Sequence, residues 1–412
     1  MNQPEILHEL ANLNPPQAKF DTSSMLQALE LLQHPEKTYP VIHIAGSNGK
    51  GSTAAFLEAG LLAANYSVGK FTSPYIQRLN ECIVLNQHQI SDEELCQIYL
   101  EIKPLLLSQA IYVSSFEMLS LIMFVYFARH KVDYLILEAG LGGLNDATNV
   151  VASNYSIITN ISLEHTQWLG TNLSAIATQK AGIIKSGLTI IATDTPELIA
   201  AVSHKTTNFI NVLDKYPYQS QLNLNNFTTQ VKFTDSIKSH LVTLGLFGHF
   251  QAKNFLSAYA VLHDLGLADE LIFHAAATTT WSGRLECISH KPWIIADASH
   301  NVDGASQLYT TLRELVNPAN CVIIASILAD KNVQTMLDYY AKIADHLIVC
   351  NLPQQPRAIN AIRLAKLAKH KFKNIHIYNS PLAALTTAKR LNKHLIVISG
   401  STYLLKYFID PT

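Results

Sequence analysis

The sequence predicts a two-domain α/β protein: a larger N-terminal domain on a mostly parallel sheet, then a smaller, doubly wound, Rossmann-like C-terminal domain. Three observations predict it. At 412 residues the chain exceeds what one hydrophobic core usually supports. Residues 41–45 are an apolar, β-branched run that ends in a glycine-rich turn and passes into Ala54, Ala55, Phe56, Leu57 and Glu58, so strand, loop and helix follow in succession. From Trp293 onward, apolar runs at 293–297, 320–326, 346–350, 374–378 and 394–399 alternate with helical stretches, and repeated β-α-β units of this kind build a parallel sheet covered on both faces. A shift in composition around Trp281-Ser282-Gly283-Arg284 puts the junction at 283–291, with domains expected at 1–285 and 291–412.

Taken in order, residues 5–13 and 24–32 read as a helical lead-in to the first strand at 41–45. The helix after the glycine turn ends near Asn65, and a short strand at 69–75 is broken by Pro74. Helical periodicity covers 91–107 and 114–130, then a buried strand occupies 133–138 and ends on Glu138, where ligand sites of α/β sheets gather. A second glycine loop, 140–143, precedes a strand at 155–159 and a helical pattern from Glu164-His165 through Lys180. Alternation at 228–233 and 240–246 suggests a small β excursion, and 251–265 is helical again.

Composition excludes several classes of function. Charged residues make up only 15% of the chain and the net charge is −1, so no global field favours nucleic acid or membrane. Charge is nonetheless uneven: residues 346–409 hold ten Lys or Arg and no Asp or Glu, leaving −11 on the remainder. The five cysteines are far apart, which argues against a disulfide framework or a zinc cluster and for a reducing compartment. Residues 1–10 lack a basic start followed by an apolar stretch, so no signal peptide is expected. The most apolar segment, 118–127, is too short to span a bilayer. The expected setting is the cytoplasm.

The chemistry is concentrated at Gly46-Ser47-Asn48-Gly49-Lys50-Gly51-Ser52-Thr53. Glycines let backbone N–H groups close around phosphate oxygens, the helix N-terminus adds partial positive charge, and Lys50 can reach the outer phosphates. The N-terminal domain is therefore read as a P-loop ATPase domain, with one departure: Gly51 separates Lys50 from the hydroxyls, whereas a standard P-loop places Ser or Thr directly after the lysine. A bound triphosphate needs a divalent cation, for which Glu138 is the leading ligand, with a buried salt bridge as its alternative. His165 alone reads as a surface or capping residue as readily as a ligand. Lys180 by spacing alone is a solvated helix residue.

Motifs spread along the whole chain carry a resemblance. They are Ala-Gly-Ser-Asn-Gly-Lys-Gly-Ser (45–52), Thr-Ser-Pro (72–74), Ser-Phe-Glu (115–117), Leu-Glu-Ala-Gly-Leu-Gly-Gly (137–143) with Asp-Ala-Thr-Asn (146–149), and Glu-His-Thr-Gln-Trp-Leu-Gly (164–170). Further on come Lys-Ala-Gly-Ile (180–183), Gly-His-Phe-Gln-Ala-Lys-Asn (248–254), Trp-Ser-Gly-Arg (281–284), Asp-Ala-Ser-His-Asn (297–301), Ala-Asp-Lys (329–331) and Gly-Ser-Thr-Tyr (400–403). In this order they resemble the folylpolyglutamate synthase and dihydrofolate synthase family, relatives of the Mur ligases.

The resemblance implies an ATP-dependent ligase that adds L-glutamate to dihydropteroate, to reduced folates, or to both, through an acyl phosphate. It implies that ATP phosphates lie against Gly49, Lys50, Gly51 and Ser52, that Mg2+ is held by Ser73, Glu138 and His165, and that Asn254, Arg284 and Asp297 complete the nucleotide site. It implies a carbamylated Lys180, whose charge inversion would supply an anionic oxygen near the metal, and a His300 near the incoming glutamate. The pterin-bearing substrate would meet Asp21, Thr22 and Ser23; Ser114, Ser115, Phe116 and Glu117; and Asn145, Asp146 and Ala147. Partners are small molecules only, and a monomer is expected.

The chain departs from the family pattern at Leu144-Asn145, usually Arg-Leu, at Tyr75, commonly His, at Cys82, commonly Arg, and at Glu164, commonly Asp. Loss of two cationic side chains bears on the choice of acceptor, because arginine grips carboxylates in a bidentate way that leucine does not. The alternatives are a Mur-type ligase acting on another carboxylate, a P-loop ATPase switch with no amino-acid acceptor, and a degenerate, non-catalytic homologue.

Overall fold

Val-Ile-His-Ile-Ala forms strand β1 (Val41–Ala45) with every residue buried, as a strand covered on both faces of a parallel sheet requires. The structure, a computed structural model, describes residues 3–14, 21–353 and 355–409. The chain divides into two compact units, the first comprising Met1–Gln219, Val231–Val242 and Ala252–Thr279 and the second Ser220–Gln230, Thr243–Gln251 and Thr280–Thr412.

In the first unit β1 is joined by β2 (Val68–Phe71), β3 (Ile83–Leu85), β4 (His88–Gln89), β5 (Tyr134–Glu138), β6 (Tyr155–Ile158), β7 (Leu188–Ile191) and β8 (Phe209–Asn211). Their order is β4-β3-β2-β5-β1-β6-β7-β8. Pairing is parallel along the run from β2 to β8 and antiparallel at the other edge, between β2 and β3 and between β3 and β4. β1 lies between β5 and β6, with Ile44 beside Glu138 and Ala45 beside Ile158. Helices start where the sequence signals them. Ser114 accepts the Glu117 N–H while Glu117 Oε2 accepts the Ser114 N–H at 2.7 Å, a reciprocal cap for helix Ser115–His130. Ser91 likewise caps Asp92–Ser108.

Three readings of the sequence are corrected here. The helical pattern expected to run unbroken from 164 through Lys180 is split into Thr166–Leu169 and Leu173–Ala181, because Asn172 takes up a cap on the Ala175 N–H (2.9 Å). β7 and β8, not anticipated, extend the sheet, and the β excursion gains a strand: β9 (Tyr218–Asn223), β10 (Thr228–Thr234) and β11 (Ser239–Leu244) form a sheet ordered β11-β10-β9. Parts of that excursion group with the second unit rather than with residues 1–285, since Phe227 and Phe247 are buried in the same apolar cluster as Leu285, Ile295 and Ile323.

The second unit is built on β12 (Glu286–His290), β13 (Trp293–Ala296), β14 (Cys321–Ala325), β15 (His346–Cys350), β16 (Asn374–Tyr378) and β17 (Leu395–Ser399), ordered β12-β13-β17-β14-β15-β16. β13 to β16 are parallel, and β12 adds an antiparallel edge. The expected doubly wound sheet is thus observed. Within it Lys371, Lys373 and Arg357 of the basic stretch pair with Asp338, Asp345 and Asp330, which lie earlier in the chain. Among the described residues no helix is long and apolar enough to cross a membrane.

Helix Lys50–Ala63 is locked to β2 by a buried ion pair between Glu58 and Lys70, with Oε1 of Glu58 finding no donor among the described residues. Removing one partner strands a charge, whereas removing both does not. Lys70→Met should therefore cost about 3–5 kcal/mol at neutral pH, and Lys70→Met with Glu58→Leu should recover most of it. Denaturant unfolding monitored by circular dichroism checks this; a near-neutral single variant would contradict the pair.

Candidate active site

The turn after β1 is shaped by close approach. A Cβ on Gly46 would lie 1.8 Å from Thr159 Oγ1, and one on Gly49, whose φ is +86°, would lie 2.3 Å from Asn254 Oδ1. Only glycine fits there without strain. Gly49 is also the N-cap of helix Lys50–Ala63 and offers no capping side chain, so the helix presents the anion-binding geometry of an N-terminus. The segment after β6 pins the turn: Ser47 N–H donates to Asn160 O (3.0 Å), Asn48 N–H to Asn160 Oδ1 (2.9 Å), Thr159 Oγ1–H to Asn48 O (2.6 Å), and Ser162 N–H to Ser47 Oγ (2.9 Å). Reasoning from the sequence missed this support, because side-chain to backbone contacts between distant segments leave no periodicity.

Two lysines and two glutamates face one another beside the turn. Lys50 Nζ donates to Gly46 O at 2.9 Å and stands 3.6 Å from Glu138 Oε1 at the end of β5. Lys180 Nζ is 2.9 Å from Glu164 Oε1. Lys180 is not the solvated helix residue its spacing suggests: it is 2% exposed. Burial pushes the Glu164 carboxyl up, but the ammonium groups of Lys180 and Lys50, with hydrogen bonds from Ser47 and Lys180, outweigh it and hold the group at about 2. Burial lowers Lys180, opposed by Glu164 and reinforced by Lys50. Glu164, passed over as a site residue, is thus the link between Lys180 and the phosphate turn.

Of the candidate metal ligands, Glu138 ends β5 and Ser73 lies two residues beyond the end of the adjacent β2, since Phe71 pairs with Leu137. Cys82 lies buried behind this pair: its carbonyl accepts the Thr72 N–H (3.1 Å), and burial, then the Glu81 and Glu138 carboxylates, raise its thiol pKa. His165 sits at φ +47° at the head of Thr166–Leu169. Among the described residues no three His, Cys, Asp or Glu converge as a metal group. The set on offer is one carboxylate, one hydroxyl and one imidazole; a sparse set with oxygen donors suits Mg2+, which keeps waters and phosphate oxygens as its other ligands.

A third cluster lies around helix Ser115–His130. Glu117 is pushed up by burial, opposed by hydrogen bonds from Ser114, with the Asp21 and Asp146 carboxylates adding to the rise. Three carboxylates from distant segments therefore share one neighbourhood. Asp21 accepts the Ser23 N–H (2.8 Å) beside Thr22, the N-cap of Ser23–Leu31. Ser115 is committed to the N-terminal helix, its hydroxyl donating to Leu10 O at 2.5 Å. Phe116 lies under Gly140, where a Cβ would meet its ring at 2.5 Å. Asn145 is half-buried beside exposed Leu144, and Ala147 belongs to the core.

In the second unit Asp297 follows β13 and accepts the N–H groups of Leu285 (3.1 Å) and Ser299 (3.0 Å), tying two loops together. Arg284, half-buried and directly before Leu285, has no ion-pair partner among the described residues. His300 Nδ1 donates to Ala298 O at 2.9 Å.

Residues 44–262 match the family model of the Mur ligase middle domain, and 283–402 that of the Mur ligase, glutamate ligase domain. The dihydrofolate synthase/folylpolyglutamate synthase of Bacillus subtilis (strain 168) is 33% identical over 408 residues, covering 92% of each chain. The chain belongs to this branch of the Mur ligases. The folylpolyglutamate synthase of Lacticaseibacillus casei is 30% identical to the ligase, over 93% of this chain and 92% of the relative. Among solved structures, Mycobacterium tuberculosis folylpolyglutamate synthase complexed with ADP and AMPPCP matches it with a TM-score of 0.90 at 27% identity over the whole of both chains. E. coli FolC in complex with DHPP and ADP matches with a TM-score of 0.89 at 26% identity, covering 99% and 96%. By family the protein is an ATP-dependent ligase.

The Glu164 carboxyl lies below its ordinary value of 4.5 in the folded ligase. Its contribution to stability is therefore complete above that value and fades as the pH falls towards 2. Glu164→Gln should be destabilised by about 3–5 kcal/mol at neutral pH, and the gap should narrow steadily below about pH 5. Thermal unfolding across that range checks it; a gap independent of pH would contradict the ion pair.

Proposed function

We propose that this ligase joins the α-amino group of L-glutamate to the carboxylate of dihydropteroate, of reduced folates, or of both, by way of an acyl phosphate. The observation that carries the reading is the turn at Gly46–Gly49 with Lys50 Nζ held at 2.9 Å from Gly46 O and 3.6 Å from Glu138: a fixed cation and a helix N-terminus aimed at one small volume. The activities for which the relatives are named, and the nucleotide and DHPP complexes of the structural neighbours, support the choice of substrates.

In this reading Gly49, Lys50, Gly51 and Ser52 grip the ATP phosphates, and Lys50 stabilises charge on the transferring phosphoryl group. Asn254, Arg284 and Asp297 complete the nucleotide site, Arg284 contributing a guanidinium that no carboxylate already engages among the described residues. Ser73, Glu138 and His165 hold Mg2+, which when bound neutralises phosphate charge. Asp21, Thr22, Ser23, Ser114, Ser115, Phe116, Glu117, Asn145, Asp146 and Ala147 form the acceptor side, and His300 receives glutamate. The first unit serves the acceptor and the ATP phosphates, and the second, which carries residues 291–412, serves as the glutamate domain of a monomer working in the cytoplasm.

Lys180 is further proposed to be carbamylated. Its burial favours the neutral amine that attacks carbon dioxide, forming an N–C bond and releasing one proton. The product exchanges a cation for an anionic oxygen donor next to Lys50.

Purified protein with ATP, Mg2+ and L-glutamate should release ADP only when dihydropteroate or tetrahydrofolate is added, with the glutamylated product identified by mass. ADP release indifferent to glutamate would favour a switch ATPase, and no turnover with any pterin a degenerate homologue. Gly49→Ala should weaken binding of a non-hydrolysable ATP analogue about tenfold or more, since a left-handed φ and a clash fall on one residue; calorimetric affinity equal to wild type would overturn the cradle.

A further inference from the structure

β1 carries a buried imidazole that the phosphate chemistry leaves unused. His43 is 0% exposed. Its Nε2 lies 2.9 Å from Thr148 Oγ1, and Thr148 Oγ1 lies 2.5 Å from Asp146 Oδ1. Asp146 Oδ1 also accepts the Thr148 N–H (3.0 Å), and Oδ2 accepts the Leu141 N–H (2.6 Å). A hydroxyl has one proton. Burial raises the Asp146 pKa, but hydrogen bonds from Thr148, Leu141 and Gly140 oppose it and favour the carboxylate; with the hydroxyl proton given to that carboxylate, Thr148 Oγ1 is left as an acceptor and His43 carries its proton on Nε2. Nδ1 of His43 is then a bare lone pair, and it is buried with no donor near it among the described residues. Protonating it would bury an unpaired donor, and burial accordingly holds the ring's pKa at about 3. The imidazole is a permanent one-way donor, and every hydrogen of the chain His43, Thr148, Asp146 points at the carboxylate.

The geometry has a mechanical consequence. Asp146 fastens Leu141 in the 140–143 loop and Thr148 in the 146–149 segment, and the Thr148–His43 bond refers both to β1 three residues before the phosphate turn opens at Gly46. The two oxygens of Asp146 are already engaged by the protein, which suits a carboxylate that shapes the acceptor loop.

We propose that His43 and Thr148 are positioning residues for the acceptor: through Asp146 they hold the 140–149 loop in register with the phosphate turn at the end of β1. This rests on the reading above in which Asn145, Asp146 and Ala147 face the pterin-bearing substrate. Thr148→Val strands the His43 Nε2–H and removes one donor from Asp146, so it should lower the thermal midpoint and raise KM for dihydropteroate about tenfold, as expected for one hydrogen bond to a charged group. His43→Leu with Thr148→Val removes both polar groups and should recover most of the thermal midpoint, while KM for dihydropteroate stays about tenfold raised and KM for ATP stays within about twofold of wild type. Thr148→Ser, which keeps the hydroxyl, should restore the wild-type KM. A double variant whose acceptor KM returns with its stability, or whose two KM values move together, would show a purely structural role and overturn the proposal. Absence of wild-type turnover with dihydropteroate and glutamate would overturn the functional reading itself, and the positioning role with it.

Discussion

The parallel pairing of β1 with β5 on one side and β6 on the other is the constraint from which the site follows. Ile44 beside Glu138 and Ala45 beside Ile158 mean that all three strands end at one level. What comes next in each chain segment is thereby gathered: the phosphate turn after β1, the carboxylate at the end of β5, and the Thr159–Asn160 support after β6. Ligand sites at the carboxyl ends of α/β strands arise in this way, and here the ladder of backbone hydrogen bonds aligns them to within a residue.

The site is charged before any ligand arrives. Lys50, Glu138, Lys180 and Glu164 are all at least largely buried. Isolated charges of this kind would be costly, and each persists because an opposite charge lies within reach. Such an arrangement stores little stability but fixes dipoles and charges in place, which is what phosphoryl chemistry draws on. With Lys180 unmodified, Glu164 is held ionised by Lys180 and Lys50 together, so it carries negative charge beside the turn.

Away from the phosphates, buried polar groups organise loops and do not face solvent. Asp146, Asp297 and the Ser114–Glu117 cap each spend their oxygens on backbone N–H groups. Because a satisfied buried carboxylate is expensive to disturb, these loops are rigid mounts for the side chains between them, Asn145 and Arg284 among those.

How far the sequence could be read differs from element to element. β1, its glycine turn, the helices expected at 91–107 and 114–130 and the five parallel strands of the second unit were legible, because apolar runs and helix formers act over a few neighbours and leave a local pattern. β7 and β8 escaped notice, as did the grouping of Phe227 and Phe247 with Ile323, because membership of a sheet or a core depends on segments far apart in the chain. The same division runs through the site. The sequence by itself determined that Lys50 follows a phosphate turn and that Glu138 ends a buried strand. Only the tertiary structure decided that Glu164 pairs with Lys180, that Thr159 and Asn160 carry the turn, and that His43 reaches Asp146 through Thr148, because hydrogen bonds and ion pairs require proximity in space, and spacing along a chain encodes proximity only within a helix or a strand.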